Sequence, residues 1–335
     1  MVLVDAQLVA VALVTICVGA MAMRMARRTS SVVRRLGKNG QEMVALRHRS
    51  GAACDVYLHG ATVSRYAVPN GHEVLWVSSG AVFNGSKAIR GGVPLVFPQF
   101  GPKADELLGI TSMSQHGFAR TSKWSVRSAE VRLNGDCQVV LTLEDSEATR
   151  EKFPHKFSLL YTVSLNETCL RTALKMTNMD KATVAPQALL HTYFATDEVA
   201  QTRVSGLDGV SYYDQLADET DAQHGDVSFC GETDRVYERG DKLVISCEGQ
   251  RAVTEIAVEA TYVEEFGESG SSATPFAPDV VVWNPHVSKA KAMSDFDDDG
   301  WKRMLCVEPG ILNKNRPKIA EGNSVILSQT ITYIP

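Results

Sequence analysis

The chain has 335 residues, of which 44% are hydrophobic and 22% charged, and its formal net charge is -5. That length and apolar content suit a large packed core in one domain or two, and they exclude a globally disordered chain. The negative balance excludes a general nucleic-acid binder, which needs a basic face, so any basic site has to be local.

The first element is apolar. From Leu8 to Met23 every residue is apolar or small except Thr15, and Arg24, Arg27, Arg28, Arg34 and Arg35 follow. About 20 apolar residues span a bilayer, with roughly 17 as the lower limit. A secretory signal carries its basic region before the apolar run, whereas here the arginines come after it. Arginines on that side place the rest of the chain in the cytoplasm. The expectation is a membrane-anchoring helix over residues 6–23, with a basic linker up to residue 39 and a folded domain over residues 40–335. A cleaved organelle-targeting segment and a non-inserting extension ahead of a later start methionine are the alternatives.

Beyond it the sequence reads as many short strands. Asn39-Gly40, Asn70-Gly71 and Asn134-Gly135 are turn signals between such runs. Residues 89–102, IRGGVPLVFPQFGP, place Arg90 before two glycines and an apolar run that two prolines interrupt. A central strand does not take internal prolines, and a flexible loop does not carry Val93, Leu95, Val96 and Phe97 together. Residues 114–124, SQHGFARTSKW, bring Gln115, His116 and Arg120 into a short glycine-containing stretch. A helical piece near Ser146 to Phe153 is stopped by Pro154.

Phe157, Leu159, Tyr161, Val163 and Leu165 then alternate with Ser158, Leu160, Thr162 and Ser164. Leu170, Thr172, Leu174 and Met176 do the same. His191 lies in QALLHTYFAT among Leu189, Leu190, Tyr193 and Phe194; taken alone it is a core histidine. Residues 264–277 are rich in Glu, Gly and Ser and read as an exposed loop. Asp295, Asp297, Asp299 and Gly300 match the start of a calcium loop. That loop needs a glutamate at its twelfth position, where Cys306 stands, so the segment reads as a solvated acidic turn. CVEPG sets Glu308 at a strand end, and residues 325–334 form a last β-rich run. Regular strands with few helices over almost 300 residues suggest a large antiparallel sandwich or barrel.

The seven cysteines form no C-x-x-C pair and read as free thiols in a reducing compartment. The sequons at Asn84 and Asn166 matter only in a secreted protein. Histidines with zinc spacing, a serine-hydrolase elbow and a nucleotide-binding P-loop are all lacking, so no metal and no cofactor is expected.

The set in order, AIRGGVPLVFPQFGP, QHGFAR, LLHTYF, TDRVY, SDF…DDGW and CVEPG, resembles the glucose-6-phosphate 1-epimerases of the aldose 1-epimerase family, over roughly residues 40–335. The resemblance implies an all-β fold, a large antiparallel β-sandwich of the galactose-mutarotase type, with sugar bound in an open cleft. It implies His191 and Glu308 as the acid/base pair, Arg90 and Arg120 as phosphate ligands, and Gln115 and Asp234 as further substrate contacts. The partner is then a hexose 6-phosphate, and the enzyme is expected to act as a monomer.

The chemistry suits those residue types. Exchanging anomers opens the pyranose: the C1 hydroxyl loses a proton while the ring oxygen gains one. An acid and a base do this without metal or redox cofactor. The histidine has to hold a proton, which a nearby carboxylate favours. Two arginines grip a phosphate with directed, charge-assisted bonds, and fixing Arg90 beforehand by a glycine turn lowers the entropy cost of binding. A free-hexose 1-epimerase, which would not need the arginines, and a non-catalytic sugar-phosphate-binding protein, which would not need the pair, are the rival readings.

Overall fold

The computed structural model describes residues 29–102, 108–110, 113–265, 267, 270–313 and 316–335. The expected anchor over residues 6–23 lies outside them. Among the described residues no helix is long and apolar enough to cross a membrane.

The described strands form three sheets in which all strand pairs are antiparallel. The largest holds the alternating segments. Phe157–Leu165 buries Phe157, Leu159, Tyr161, Val163 and Leu165 and leaves the residues between them half-buried, as a period of two requires. It lies between Cys137–Glu144 and Cys169–Asn178, and the latter pairs in turn with Ser324–Ile334 and, beyond it, Val253–Glu265. A second sheet runs through Thr233–Tyr237, Asp279–Asn284, Met304–Ile311, Ala188–Leu190 and Leu95–Val96. A four-stranded sheet, Ser31–Leu36 to Val63–Ala67, completes the layers. One core joins all three: Leu159, Tyr161 and Leu327 from the large sheet, Val280, Val282 and Val307 from the second, and Val44 and Val56 from the third.

Three expectations are corrected. The folded domain begins before residue 40, because Ser31–Leu36 pairs with Glu42–Arg47. The Asn39-Gly40 signal is the connection between these strands, and both residues sit at positive φ, 52° and 71°. The supposed linker arginines Arg34 and Arg35 therefore belong to an edge strand. Residues 264–277 are largely not a loop: Ser271–Phe276 returns as a strand against Val253–Glu265. A helix that periodicity did not reveal, His286–Ala292, follows Pro285. The short helix expected near residue 146 is present as Glu147–Arg150, capped reciprocally by Ser146 and Thr149. The six described cysteines are free.

The second sheet positions the chemistry. Asp279–Asn284 and Met304–Ile311 are buried on both faces. One face, Val280, Val282, Leu305 and Val307, joins the main core. The other, Val281, Trp283 and Cys306, packs with Val96, Leu189, Tyr193 and Phe296 in a separate cluster. Glu308 and Asp234 project on that second face.

Candidate active site

Strand register brings the ionisable residues together. Glu308 pairs with Val281, and two residues along, Cys306 pairs with Trp283 and with Tyr193. Trp283 pairs with Asp234 on its other side. Side chains two apart share a face, so Glu308, Cys306, Trp283 and Asp234 line one side of the sheet.

His191 reaches the same place from the short segment between Ala188–Leu190 and Tyr193–Ala195, its backbone N–H donating to the Pro94 carbonyl at 3.0 Å. Its Nδ1 lies 3.2 Å from Glu308 Oε1. The approach is close but lacks hydrogen-bond direction. Nδ1 and the second carboxylate oxygen, Oε2, have no hydrogen-bond partner among the described residues. Two buried polar atoms left open cost stability, and such costs concentrate at functional sites.

The electrostatics push the two groups in opposite directions. Glu308 is 1% exposed, and burial, followed by the charge of Asp234, raises its pKa well above the ordinary value of 4.5 against the opposing pull of Cys306 and Arg120. His191 is pushed well below 6.5 by burial, then by His116, Arg120 and Arg90. Both shifts favour the uncharged forms, a neutral imidazole beside a protonated carboxyl. The Cys306 thiol is raised by burial and then by Glu308. His191, Cys306 and Glu308 offer ligand atoms within 4.8 Å of one another, and they are the set among the described residues that could hold a metal ion.

The backbone around Arg90 is pinned. Gly92 sits at φ 67°, and a Cβ there would lie 2.0 Å from the Val63 carbonyl oxygen, so only glycine fits. The Ser78 N–H donates to the Arg90 carbonyl at 3.0 Å, and the Gly92 N–H to the Trp76 carbonyl at 2.7 Å. The guanidinium is held as well: Nε donates to Asp295 Oδ1 at 3.2 Å and Nη1 to the Tyr193 hydroxyl at 3.3 Å. Arg120 donates from Nη2 to the Gln115 carbonyl at 2.6 Å. Burial pulls its pKa down to about 10, which leaves it charged at neutral pH. Both arginines line one open pocket of about 440 Å³, together with Lys87, Ser114, Thr121 and Asp295.

Of the six residues expected from sequence, His191 and Glu308 are in contact, and Arg90 and Arg120 share the pocket. Asp234 lies across Trp283 from Cys306, accepting from Gln215 at 2.6 Å, with Lys289 at 3.8 Å. Burial raises its pKa. Gln115 differs: its side chain is exposed, and its carbonyl serves Arg120.

Two further residues belong here. His116 sits at φ 65°, with its ring 5.7 Å from that of His191 and edge-on to it. Its Nδ1 accepts from the Gly101 N–H at 3.2 Å, so its proton is on Nε2. Burial, then Arg120 and Arg90, hold its pKa down at about 3, leaving a neutral donor. Asp295 corrects the solvated-turn expectation: it is 8% exposed and pairs with Arg90, while Asp297 accepts from the Ser79 N–H at 2.8 Å. His116 lay beside Gln115 in a motif already noted. Asp295 gave no local sign, because its partner is 205 positions away.

Residues 42–332 match the family model described as aldose 1-epimerase. A protein of Cenchrus ciliaris, provisionally named glucose-6-phosphate 1-epimerase, is 33% identical over 285 residues, 82% of this chain and 80% of that protein. An Escherichia coli protein of the same provisional name is 32% identical over 279 residues, 82% and 84% of the two chains. A crystal structure from Salmonella typhimurium, provisionally described as a mutarotase, superposes with a TM-score of 0.76 at 26% identity, covering 90% of this chain and 93% of the other.

Proposed function

The chain belongs to the aldose 1-epimerase family and is an epimerase that interconverts the anomers of a hexose phosphate; we propose that D-glucose 6-phosphate is its substrate, that Glu308 and His191 are its base and acid, and that Arg90 and Arg120 hold the phosphate. The observation that carries the proposal is the buried Glu308–His191 contact on the same sheet face that Arg90 borders through Tyr193. His116 and Asp234 are the further groups placed to meet the sugar hydroxyls. The domain is read as a monomer. An apolar stretch followed by arginines supports an anchor at residues 6–23 that leaves the domain on the cytoplasmic side.

In the proposed mechanism Glu308 takes the C1 hydroxyl proton while His191 gives one to the ring oxygen. The C1–O5 bond opens to the aldehyde, and rotation about C1–C2 presents its other face. Closure then returns both protons by the reverse route. The pair has to hold one proton, placed on His191. Burial, then His116, Arg120 and Arg90, disfavour a proton on that ring. A bound phosphate carries close to two negative charges and offsets both cations, so substrate itself favours transfer of the proton from Glu308 to His191.

The test is selectivity. Anomer exchange of glucose 6-phosphate, followed by NMR, should exceed that of glucose in kcat/KM by roughly tenfold to more than a hundredfold, the worth of a charge-assisted contact of about 1.5–3 kcal/mol. Equal values would favour a free-hexose epimerase.

A pH profile follows from the same pair. Only the one-proton state is active, so the acid limb marks a second proton going onto His191 and the base limb marks loss of the proton from Glu308. His191 is shifted below 6.5 and Glu308 above 4.5, so the acid limb moves down and the base limb moves up. With glucose, which adds no ionisation of its own, the acid limb of kcat/KM should lie below the ordinary imidazole value of 6.5 and the base limb above the ordinary carboxyl value of 4.5. An acid limb above pH 6.5, or a base limb at or below pH 4.5, would contradict the assignment.

A further inference from the structure

We propose that the two-arginine pocket is also an activator site: a free phosphate or phosphite dianion bound there accelerates anomer exchange of unphosphorylated glucose, acting on His191 through Arg90 and Tyr193. The proposal rests on the reading of Arg90 and Arg120 as phosphate ligands.

A guanidinium has five N–H donors. Arg90 commits Nε to Asp295 Oδ1 at 3.2 Å and one Nη1 proton to the Tyr193 hydroxyl, with Nη2 also 3.2 Å from Asp295 Oδ1 as an ion pair. Both terminal nitrogens keep N–H donors for an oxyanion in the pocket that Arg90 lines. Asp295 and Tyr193 are 8% and 1% exposed, so neither partner can swing aside. An anion drawing on Arg90 therefore draws on Tyr193.

Tyr193 is in turn part of the acid/base pair's support. Its ring lies 4.8 Å from that of His191 and within 6° of parallel. Trp76 stacks on Tyr193 at 5.9 Å, and Trp283 stands edge-on to both Tyr193 and His191 at 6.0 Å. Four packed rings move together or not at all. His191 Nδ1 is already 3.2 Å from Glu308 Oε1 but off the hydrogen-bonding direction, so a small reorientation of the stack is enough to align proton transfer. Tyr193 is thus a positioning residue, and binding energy at the phosphate is expressed at the reacting carbon. The covalent link between phosphate and sugar is not needed for that. The pocket lining does not include His191 or Glu308, so a separate dianion leaves the ring site free.

The experiment measures glucose anomer exchange with full-length protein at rising phosphite, each rate corrected for phosphite alone in the same buffer. Wild type should be accelerated about tenfold or more at saturation, within the roughly 5- to 150-fold range of coupled sites. Tyr193→Phe keeps the ring stack and removes the acceptor for Arg90, and its maximal acceleration should fall well below that of wild type, to what charge compensation of the two arginines supplies alone. Simple inhibition of the wild type, or no effect on it, overturns the proposal, as does full acceleration in a folded Tyr193→Phe. Should that variant fail to fold, the wild-type arm decides alone. Glucose 6-phosphate exchange measured alongside keeps the two ideas separate: its absence defeats the assigned substrate, whereas its presence without phosphite activation defeats only the activator site.

Discussion

Replacing Glu308 by glutamine lowers glucose 6-phosphate anomer exchange by at least about 10²-fold, the lower end of what one general acid/base group contributes. The amide is nearly isosteric and cannot take the C1 proton. Folding should survive, because Glu308 is 1% exposed and burial already favours its uncharged form, which the amide imitates. His191→Ala should cost a similar factor in rate, though it also opens a space beside Tyr193 and Trp283, so its thermal stability has to be measured with it. Near wild-type exchange in either folded variant would remove that residue from the proton transfer.

The second large effect is on discrimination. Arg120→Ala should weaken kcat/KM for glucose 6-phosphate by roughly tenfold to more than a hundredfold, while glucose loses much less. Arg120 is the sharper of the two arginines for this purpose. Its side chain is tied in the structure to one carbonyl, that of Gln115, whereas Arg90 is braced by both Asp295 and Tyr193, so its loss would disturb packing as well. Equal losses with both sugars would mean that Arg120 serves the fold or the ring and not the phosphate.

The fold was most legible where one sheet face meets the core and the other meets solvent. Phe157–Leu165 alternates strictly in burial and, but for Leu160, in sequence. The pattern disappears in Asp279–Asn284 and Met304–Ile311, because both of their faces are covered, and those are the strands that carry the chemistry. Glu308, taken by itself, looks like a strand-end charge, and His191 looks like a core histidine. Each is informative only beside the other, far apart in sequence and 3.2 Å apart in space. The motif order supplied that pairing through a family resemblance; periodicity alone could not.

The acidic run at residues 294–300 shows the limit of local inference. Charge density suggested exposure, yet Asp295 is buried against Arg90, and Asp297 fastens the Ser78–Ser79 turn. Long-range ion pairs leave no periodic trace. Gln115 shows the converse: its motif was informative, but the group that acts in the structure is its carbonyl, which side-chain chemistry does not report. Ser31–Leu36 was hidden by its arginines, which suit an exposed edge strand as well as a linker.

The central claim is that a buried carboxyl–imidazole pair opens and closes the ring of a phosphorylated hexose. Magnetisation transfer between the α and β anomeric protons of glucose 6-phosphate tests it most directly, with wild type and Glu308→Gln compared at equal concentration. The account predicts exchange well above the spontaneous rate with wild type and at least about 10²-fold less enhancement with the variant. Exchange at the spontaneous rate with folded wild-type protein, or equal enhancement by both proteins, would contradict it.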